Sequence, residues 1–385
     1  MTLMLRRRLM MMDNSTQDNS YNTYVKYQIM HGERKVASID TQGHCTIFDL
    51  DFMPYNLYLE EDGEELDTFI NNLANFYFWC ASRVLTLDRE YAKELLNSIG
   101  ATQASTDKER AQIALSYHCL SLTDIYWVKR EEEKITFREI NLFENHLSNA
   151  FVNVALRGRQ MTIENSHLIA DDLSTNGSFP KAWLRENDTF WLLKDGGNLA
   201  VENEILASKI CQCFQCNQVV YSEVLFDGTL VSCSKIMTSL EYSLVSREAF
   251  EVFALNQNMN ALDYILELDG YSYYMMNILD YLIGNTDRHW GNWGLLVRNS
   301  DNQPERLYDL MDFNKAFSAY DTIEGANCLT TDSKKCTQKE AAIAAVEKMG
   351  LNQVAKVKRE WFSGREEIYE RFFERLKLLE KHSVR

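Results

Sequence analysis

The residues best suited to chemistry in this chain are a carboxylate and an amide five positions apart, Asp287 and Asn292. They lie in a polar, tryptophan-containing stretch that follows an apolar helical pattern. A second carboxylate, Asp312, stands between apolar neighbours twenty residues after Asn292. Phosphoryl transfer uses such a set, because one carboxylate accepts the proton of the attacking hydroxyl while an amide oxygen and a second carboxylate hold Mg²⁺ against the phosphates.

Two residues upstream complete the set. Lys194 ends a predicted strand, and Glu204 lies on the helix predicted to follow it. A strand lysine that is held by a helix glutamate can reach the α- and β-phosphates of a nucleotide. An Asp-x-x-x-x-Asn spacing alone occurs by chance, whereas these parts in this order are far more specific.

Two points stay open from the residues alone. Asp309 also flanks a predicted strand, three residues before Asp312, and the apolar neighbours of Asp312 favour it as the metal ligand. No Gly-x-Gly-x-x-Gly or Gly-x-x-x-x-Gly-Lys-Ser/Thr motif is present. The stretch Ser174–Ser178, with one glycine and small polar residues, could cover a phosphate through its backbone or could be a linker.

The elements that must position these residues divide the chain into four regions. Residues 1–22 form a polar tail, and 23–165 read as strands followed by helices. Residues 166–239 read as a hairpin that turns at Asn187-Asp188, a helix and two further strands. Residues 240–385 read as helices, with short apolar runs at 295–297 and 307–311 between them. A capping box at Thr337–Glu340 opens one late helix, which stops before Gly350. Helices are predicted at 66–79, 88–99, 107–120, 147–155, 202–214, 262–282, 337–349, 351–361 and 366–381.

Composition and charge exclude several classes of protein. The chain has 385 residues, of which 45% are hydrophobic and 25% charged, as in ordinary globular proteins. Its 56 acidic and 40 basic residues give a formal charge of −16, which disfavours direct binding to nucleic acid or to an anionic membrane. Nine scattered cysteines, no secretory signal and no long uncharged apolar run predict a reduced, cytoplasmic protein.

Several motifs together resemble the HipA-like serine/threonine kinases. They are Ser-Thr-Asn-Gly-Ser-Phe-Pro-Lys-Ala-Trp from 174, Leu-Leu-Lys ending at 194, Glu-Asn-Glu-Ile-Leu-Ala-Ser-Lys from 202, Asn-Thr-Asp-Arg-His-Trp-Gly-Asn from 285 and Met-Asp-Phe-Asn from 311. The resemblance covers about residues 173–317, and its Asp-Arg-His run is also similar to phosphatidylinositol kinases. It implies an α+β, two-lobed protein-kinase-like fold with a small β-rich lobe and a helical C-lobe, preceded here by an additional, mostly helical region. It also implies ATP, Mg²⁺ and a protein serine or threonine as acceptor.

The resemblance assigns roles to single residues. Asp287 would be the catalytic base, and Asn292 and Asp312 would hold the metal, with Asn314 where other kinases have glycine. Residues implied to contact or anchor ATP are Lys194, Glu204, Ser178, Met237, Thr238 and His289, with Met237 and Thr238 in the hinge that holds adenine. For His289, packing in the core against backbone is the alternative.

The resemblance leaves the first 165 residues without an assigned role. A regulatory or antitoxin-like protein partner could bind there. Two other hypotheses remain for the whole chain, namely a kinase for a lipid or small-molecule hydroxyl and an interaction scaffold whose kinase lobes are degenerate.

Overall fold

The part of the chain that the computed structural model describes contains eleven strands and eight α-helices. It comprises residues 24–61, 65–84, 106–145, 181–186, 189–226, 228–331 and 336–383. The strands are β1 Lys26–His31, β2 Arg34–Asp40, β3 Cys45–Ile47, β4 Tyr126–Arg130, β5 Lys181–Glu186, β6 Thr189–Lys194, β7 Tyr221–Phe226, β8 Thr229–Lys235, β9 Tyr242–Ser246, β10 Gly294–Arg298 and β11 Gln303–Leu307. The α-helices are α1 Leu66–Ala81, α2 Asp107–Ser116, α3 Phe137–Ile140, α4 Asn198–Cys211, α5 Arg247–Asn256, α6 Ala261–Ile283, α7 Gln338–Met349 and α8 Glu366–His382. This mixture confirms the predicted α+β class.

The strands form three antiparallel sheets. The first has the order β3-β2-β1-β4, the second β5-β6-β8-β7 and the third β11-β10-β9. In the second sheet, β5 and β6 pair from Lys181 with Lys194 to Glu186 with Thr189, as expected of the predicted hairpin. The predicted turn at Asn187-Asp188 lies outside the described residues, as do the helices predicted at 88–99 and 147–155. The stretch Ser174–Ser178, whose Ser178 was predicted to contact ATP, also lies outside them.

Two hydrophobic cores organise these elements. One lies under the first sheet, α1 and α2, and it takes in Phe190 from β6, so that the second sheet packs against the N-terminal region. The other joins α4, α5, α6, α7 and α8 around the buried C-terminal half of α6. No helix in the described part of the chain is long and apolar enough to cross a membrane.

The long helix α6 leads directly into the loop that carries the predicted catalytic residues. The side chain of Asn260 caps its start by accepting from the backbone N–H of Asp263 at 2.9 Å. Its last turn ends at Gly284, whose left-handed φ of 59° favours glycine, and a Cβ there would lie 2.5 Å from the ring of Tyr320. The loop 285–293 therefore leaves α6 in one fixed direction and enters β10.

The N-terminal region contacts the rest of the molecule through buried hydrogen bonds. The hydroxyls of Tyr55 and Tyr126 donate to the backbone and side-chain oxygens of Asn302, at 2.7 and 3.1 Å. The hydroxyl of Thr238 donates to the carbonyl of Leu122. The first sheet is thus attached both to the segment after β8 and to the β10–β11 hairpin.

One predicted helix is wrong. Residues 351–361 form no α-helix, and only their last three residues enter a 3₁₀ turn, Arg359–Phe362. The backbone N–H groups of Val354 and Ala355 instead donate to the carbonyl of Cys213, at 2.8 and 3.1 Å. The segment lies as irregular chain across the end of α4, because these hydrogen bonds replace those of a helix.

Candidate active site

Lys194 lies at the centre of a buried ionic network. Its ammonium is 2.9 Å from Oε1 of Glu204 and 3.2 Å from Oδ1 of Asp312. Lys194 is 8% exposed and Glu204 only 1%. The end of β6, the middle of α4 and the segment after β11 therefore meet at one point, which brings together three of the residues predicted from sequence.

Two hydroxyls complete this network. Ser232 on β8 donates to Oε2 of Glu204 at 2.5 Å, and the hydroxyl of Tyr221 on β7 accepts from the backbone N–H of Asp312 at 3.1 Å. Asp312 has a left-handed φ of 60°, which a residue other than glycine rarely adopts. Such strain persists only where surrounding contacts impose it, and it is common at functional sites.

The charges of this network control each other's protonation. Burial alone would lower the pKa of Lys194, but the carboxylates of Asp312 and Glu204 outweigh it and hold the pKa well above its usual value. Burial would raise the pKa of Asp312, yet the ammonium groups of Lys194 and Lys181, together with Arg288, lower it. Both groups are therefore charged at neutral pH.

Lys181 is a residue that the sequence analysis did not single out as part of the site. It faces Lys194 across the hairpin, and its charge acts on Asp312. The register of the predicted hairpin could have revealed this position. In an antiparallel pair with a two-residue turn, the first residue of one strand faces the last residue of the other, so Lys181 is expected opposite Lys194.

The loop between α6 and β10 is held by its own polar side chains. Nδ2 of Asn292 donates to the carbonyl of Asp287 at 2.8 Å, and the backbone N–H of Asp287 donates to Oδ1 of Asn285 at 3.2 Å. Within the described part of the chain, no hydrogen bond to Oδ1 of Asn292 is formed, so this oxygen can ligate a cation. The loop thus fixes its predicted base and metal ligand relative to each other.

Arg288 connects this loop to the segment that carries Asp312. Its guanidinium is 2% exposed and pairs with the carboxylate of Asp280 on α6, at 2.9 and 3.1 Å. Nη1 also donates to the carbonyls of Asn292, at 2.9 Å, and of Met311, at 2.7 Å. Because one nitrogen binds both carbonyls, the two predicted metal ligands are held by a common support that the sequence analysis did not assign.

Asp287 has an ion-pair partner of its own. Nζ of Lys315 lies 3.2 Å from its Oδ1, and the two side chains are 45% and 24% exposed. An ion pair this open to water contributes about 0–1 kcal/mol to stability. The pair can therefore open without much cost to the fold.

The remaining predicted residues lie as follows. His289 is exposed and accepts the backbone N–H of Gly291 on Nδ1 at 3.0 Å, so the alternative of a core-packed histidine is wrong although it does bond backbone. The side chain of Thr238 points to Leu122 of the N-terminal region, and Met237 is partly buried against the C-terminal core. In the described chain, the backbone N–H groups of Met237 and Thr238 have no hydrogen-bond partner.

The structure distinguishes Asp309 from Asp312 by their contacts. Asp309 is partly exposed, and its Oδ1 pairs with Nη1 of Arg306 at 2.8 Å. Asp312 instead joins Lys194 in the network described above. Of these two carboxylates, only Asp312 contacts another residue of the predicted site, namely Lys194.

The oxygen donors present suit Mg²⁺ bound to a nucleotide. No group of three or more His, Cys, Asp or Glu side chains in the described residues could hold a metal unaided. Mg²⁺ needs only one or two protein ligands when phosphates and water supply the others. An ionised Asp312 and the unbonded amide oxygen of Asn292 meet that requirement.

Among the solved structures that are similar to this chain, two at low identity illustrate the likeness. One is the Helicobacter pylori proinflammatory kinase CtkA, with 14% identity and a TM-score of 0.40 over 54% of this chain and 92% of that one. The other is the Shewanella oneidensis MR-1 toxin–antitoxin system HipA with HipB and operator DNA, with 12% identity and a TM-score of 0.47 over 93% of this chain and 92% of that one. No family model and no curated protein sequence matches the chain. At these scores and identities, neither likeness bears on what this chain binds or does.

Proposed function

We propose that this chain is an ATP- and Mg²⁺-dependent phosphotransferase of the HipA-like type, which transfers the γ-phosphate to a serine or threonine hydroxyl of a protein. The observation that supports it most is the buried contact between Lys194 and Asp312, at 3.2 Å. The loop that carries Asp287 and Asn292 is tied by Arg288 to the backbone directly before Asp312. Five residues from separate parts of the sequence thereby support one reaction, namely Lys194, Glu204, Asp287, Asn292 and Asp312.

Each residue has a role that its surroundings favour. Lys194, kept charged and held by Glu204, binds the nucleotide phosphates. Asn292 and Asp312 supply oxygens to Mg²⁺, which when bound offsets the negative charge of those phosphates. Asp287 accepts the proton of the attacking hydroxyl. The backbone N–H groups of Met237 and Thr238, which have no partner among the described residues, are suited to hydrogen bonding with the edge of adenine.

Labelled ATP tests this proposal directly. We expect incubation of the protein and Mg²⁺ with separate protein, lipid and metabolite pools to label serine or threonine in the protein pool. Asp287→Asn should abolish the label without unfolding the chain, and Asp309→Asn, which alters a carboxylate outside the network, is the matched control. Label in lipid alone would refute a protein acceptor, and a failure of the wild-type protein to bind Mg·ATP in calorimetry would refute the function.

We infer that a regulatory protein partner bound to the N-terminal region would act on the nucleotide site. It contacts the predicted hinge through the hydrogen bond between Thr238 and Leu122. Thr238→Val removes this hydrogen bond and keeps the shape of the side chain. We expect a changed ATP affinity in calorimetry, and an unchanged affinity would show that the N-terminal region does not act on the hinge by this contact.

A further inference from the structure

Lys315, beside the proposed base, has a fixed backbone and a side chain that is partly exposed. Lys315 precedes Ala316, whose carbonyl accepts from Nδ2 of Asn203 on α4 at 3.0 Å. The next N–H, of Phe317, donates to the carbonyl of Ile283 at the end of α6 at 2.6 Å. The backbone of this segment is thus attached to two helices, while the ammonium of Lys315 remains at the half-exposed mouth of the site.

Two other cations of the site are committed to protein partners. Lys194 is buried between Glu204 and Asp312. The guanidinium of Arg288 is buried and held by Asp280. Neither can move to a group that reacts beside Asp287 without leaving a carboxylate unpaired in the interior.

The transferred phosphoryl group carries negative charge into a place that already holds the carboxylate of Asp287. The carboxylate and the phosphoryl oxygens repel each other, and a preorganised cation that contacts the transferring oxygens lowers the barrier. Lys315 already lies 3.2 Å from Oδ1 of Asp287, and its weak, exposed ion pair allows its side chain to turn toward the phosphoryl group.

We propose that Lys315 is a further catalytic residue, whose ammonium pairs with Asp287 between turnovers and binds the oxygens of the γ-phosphoryl group during transfer. This inference rests on the proposed function. The bond from the acceptor oxygen to phosphorus forms as the bond from phosphorus to the β,γ-bridging oxygen breaks, and ADP leaves with that oxygen. The hydroxyl proton passes to Asp287, while Lys315 keeps its protons and acts only through its charge.

Kinetics and ADP binding of three variants test the role of Lys315. In Lys315→Met we expect kcat to fall about 100-fold, as when one preorganised donor is removed from a transition state. The affinity for ADP, which lacks the γ-phosphate, should stay within about twofold of wild type. Lys315→Arg keeps the charge and should restore part of kcat. Lys348→Met is the matched control, since Lys348 is also an exposed lysine with one polar partner, the hydroxyl of Tyr274, and should match wild type.

Two results would overturn the assignment of Lys315 alone: a kcat of Lys315→Met within about threefold of wild type, or an equal loss of ADP binding and kcat, which would indicate a structural role. Wild-type protein that binds neither ATP nor ADP would instead overturn the proposed function, and the assignment of Lys315 with it. The two failures are distinguishable, because the first appears only in the variant and the second already in the wild type.

Discussion

Replacing Arg288 by methionine should destabilise the protein strongly, because this guanidinium is the buried support of the active-site loop. Methionine retains an unbranched apolar stem but removes the charge and every donor. The carboxylate of Asp280 would then be buried with one remaining side-chain donor, Nδ2 of Asn285 at 3.1 Å. Two carbonyls, of Asn292 and Met311, would also lose their donor.

The size of the effect follows from this geometry. Removing one partner of a buried ion pair costs about 3–5 kcal/mol, because the other charge stays in the interior without compensation. The hydrogen bond from Asn285 favours the lower end of that range. With a urea m-value of about 1–3 kcal/mol/M, the midpoint of unfolding should fall by about 1–3 M.

Urea unfolding followed by tryptophan fluorescence measures this change, since Trp293 is 1% exposed and directly follows Asn292. Arg298→Met is the matched control. Arg298 also pairs with carboxylates, Asp301 and Glu305, but its side chain is 43% exposed, so its loss should cost less than about 1 kcal/mol. Equal midpoint shifts for the two variants would refute the reasoning.

A double variant tests the cause of the instability. In Arg288→Met combined with Asp280→Asn, no unpaired carboxylate is left in the interior. Neighbouring residues of one network couple by about 0.5–3 kcal/mol, so the stability lost in the double variant should be smaller than the sum of the losses in the two single variants by an amount in that range. A loss in the double variant that equals that sum would show that the lost carbonyl contacts, rather than the buried charge, dominate.

Three further results are expected. Gly294→Ala should destabilise the protein by about 1–3 kcal/mol in urea unfolding, because the added Cβ would lie 2.2 Å from the carbonyl oxygen of Val245, and no measurable loss would contradict the tight pairing of β10 with β9. Asp312→Asn should remove the Mg²⁺ dependence of ATP binding in calorimetry whereas Asp309→Asn should retain it, and equal effects would contradict the assignment of the metal ligand. Burial lowers the pKa of His31 to about 4, so its ring is neutral in the folded protein and takes up a proton on unfolding. Stability should therefore fall as the pH drops from 6.5 to about 4, by up to about 1.4 kcal/mol per pH unit, and this contribution should be absent from His31→Phe.

Features that depend on a few consecutive residues could be predicted from the sequence. The capping box of α7 forms as predicted, with the backbone N–H of Glu340 donating to Thr337 Oγ1 and that of Thr337 donating to the carboxylate of Glu340. The end of α6 at Gly284 is equally local. The helix predicted at 351–361 failed because the carbonyl that its N–H groups bind, that of Cys213, lies far away in the sequence.

The predicted site shows the same division between local and distant causes. The residue types and their order could be predicted, because each residue lies beside a sequence pattern that predicts a strand or a helix. These residues are Lys194, Glu204, Asp287, Asn292 and Asp312. The pairing of Lys194 with Glu204, ten residues apart, was also predicted. The contact of Lys194 with Asp312 was not, since it joins residues more than a hundred positions apart.

The choice between Asp309 and Asp312 shows why the sequence could not complete the assignment. Both carboxylates follow apolar residues at the end of the same strand, and their difference arises from the backbone between them. At Asp312 the chain takes a left-handed conformation and its N–H bonds to the hydroxyl of Tyr221, so that the carboxylate faces Lys194. A glycine at this position would have indicated a left-handed conformation from the sequence. Aspartate adopts that conformation here because contacts with β7, β6 and the buried charge of Lys194 impose it. Asp309, without those contacts, pairs with Arg306 near the surface.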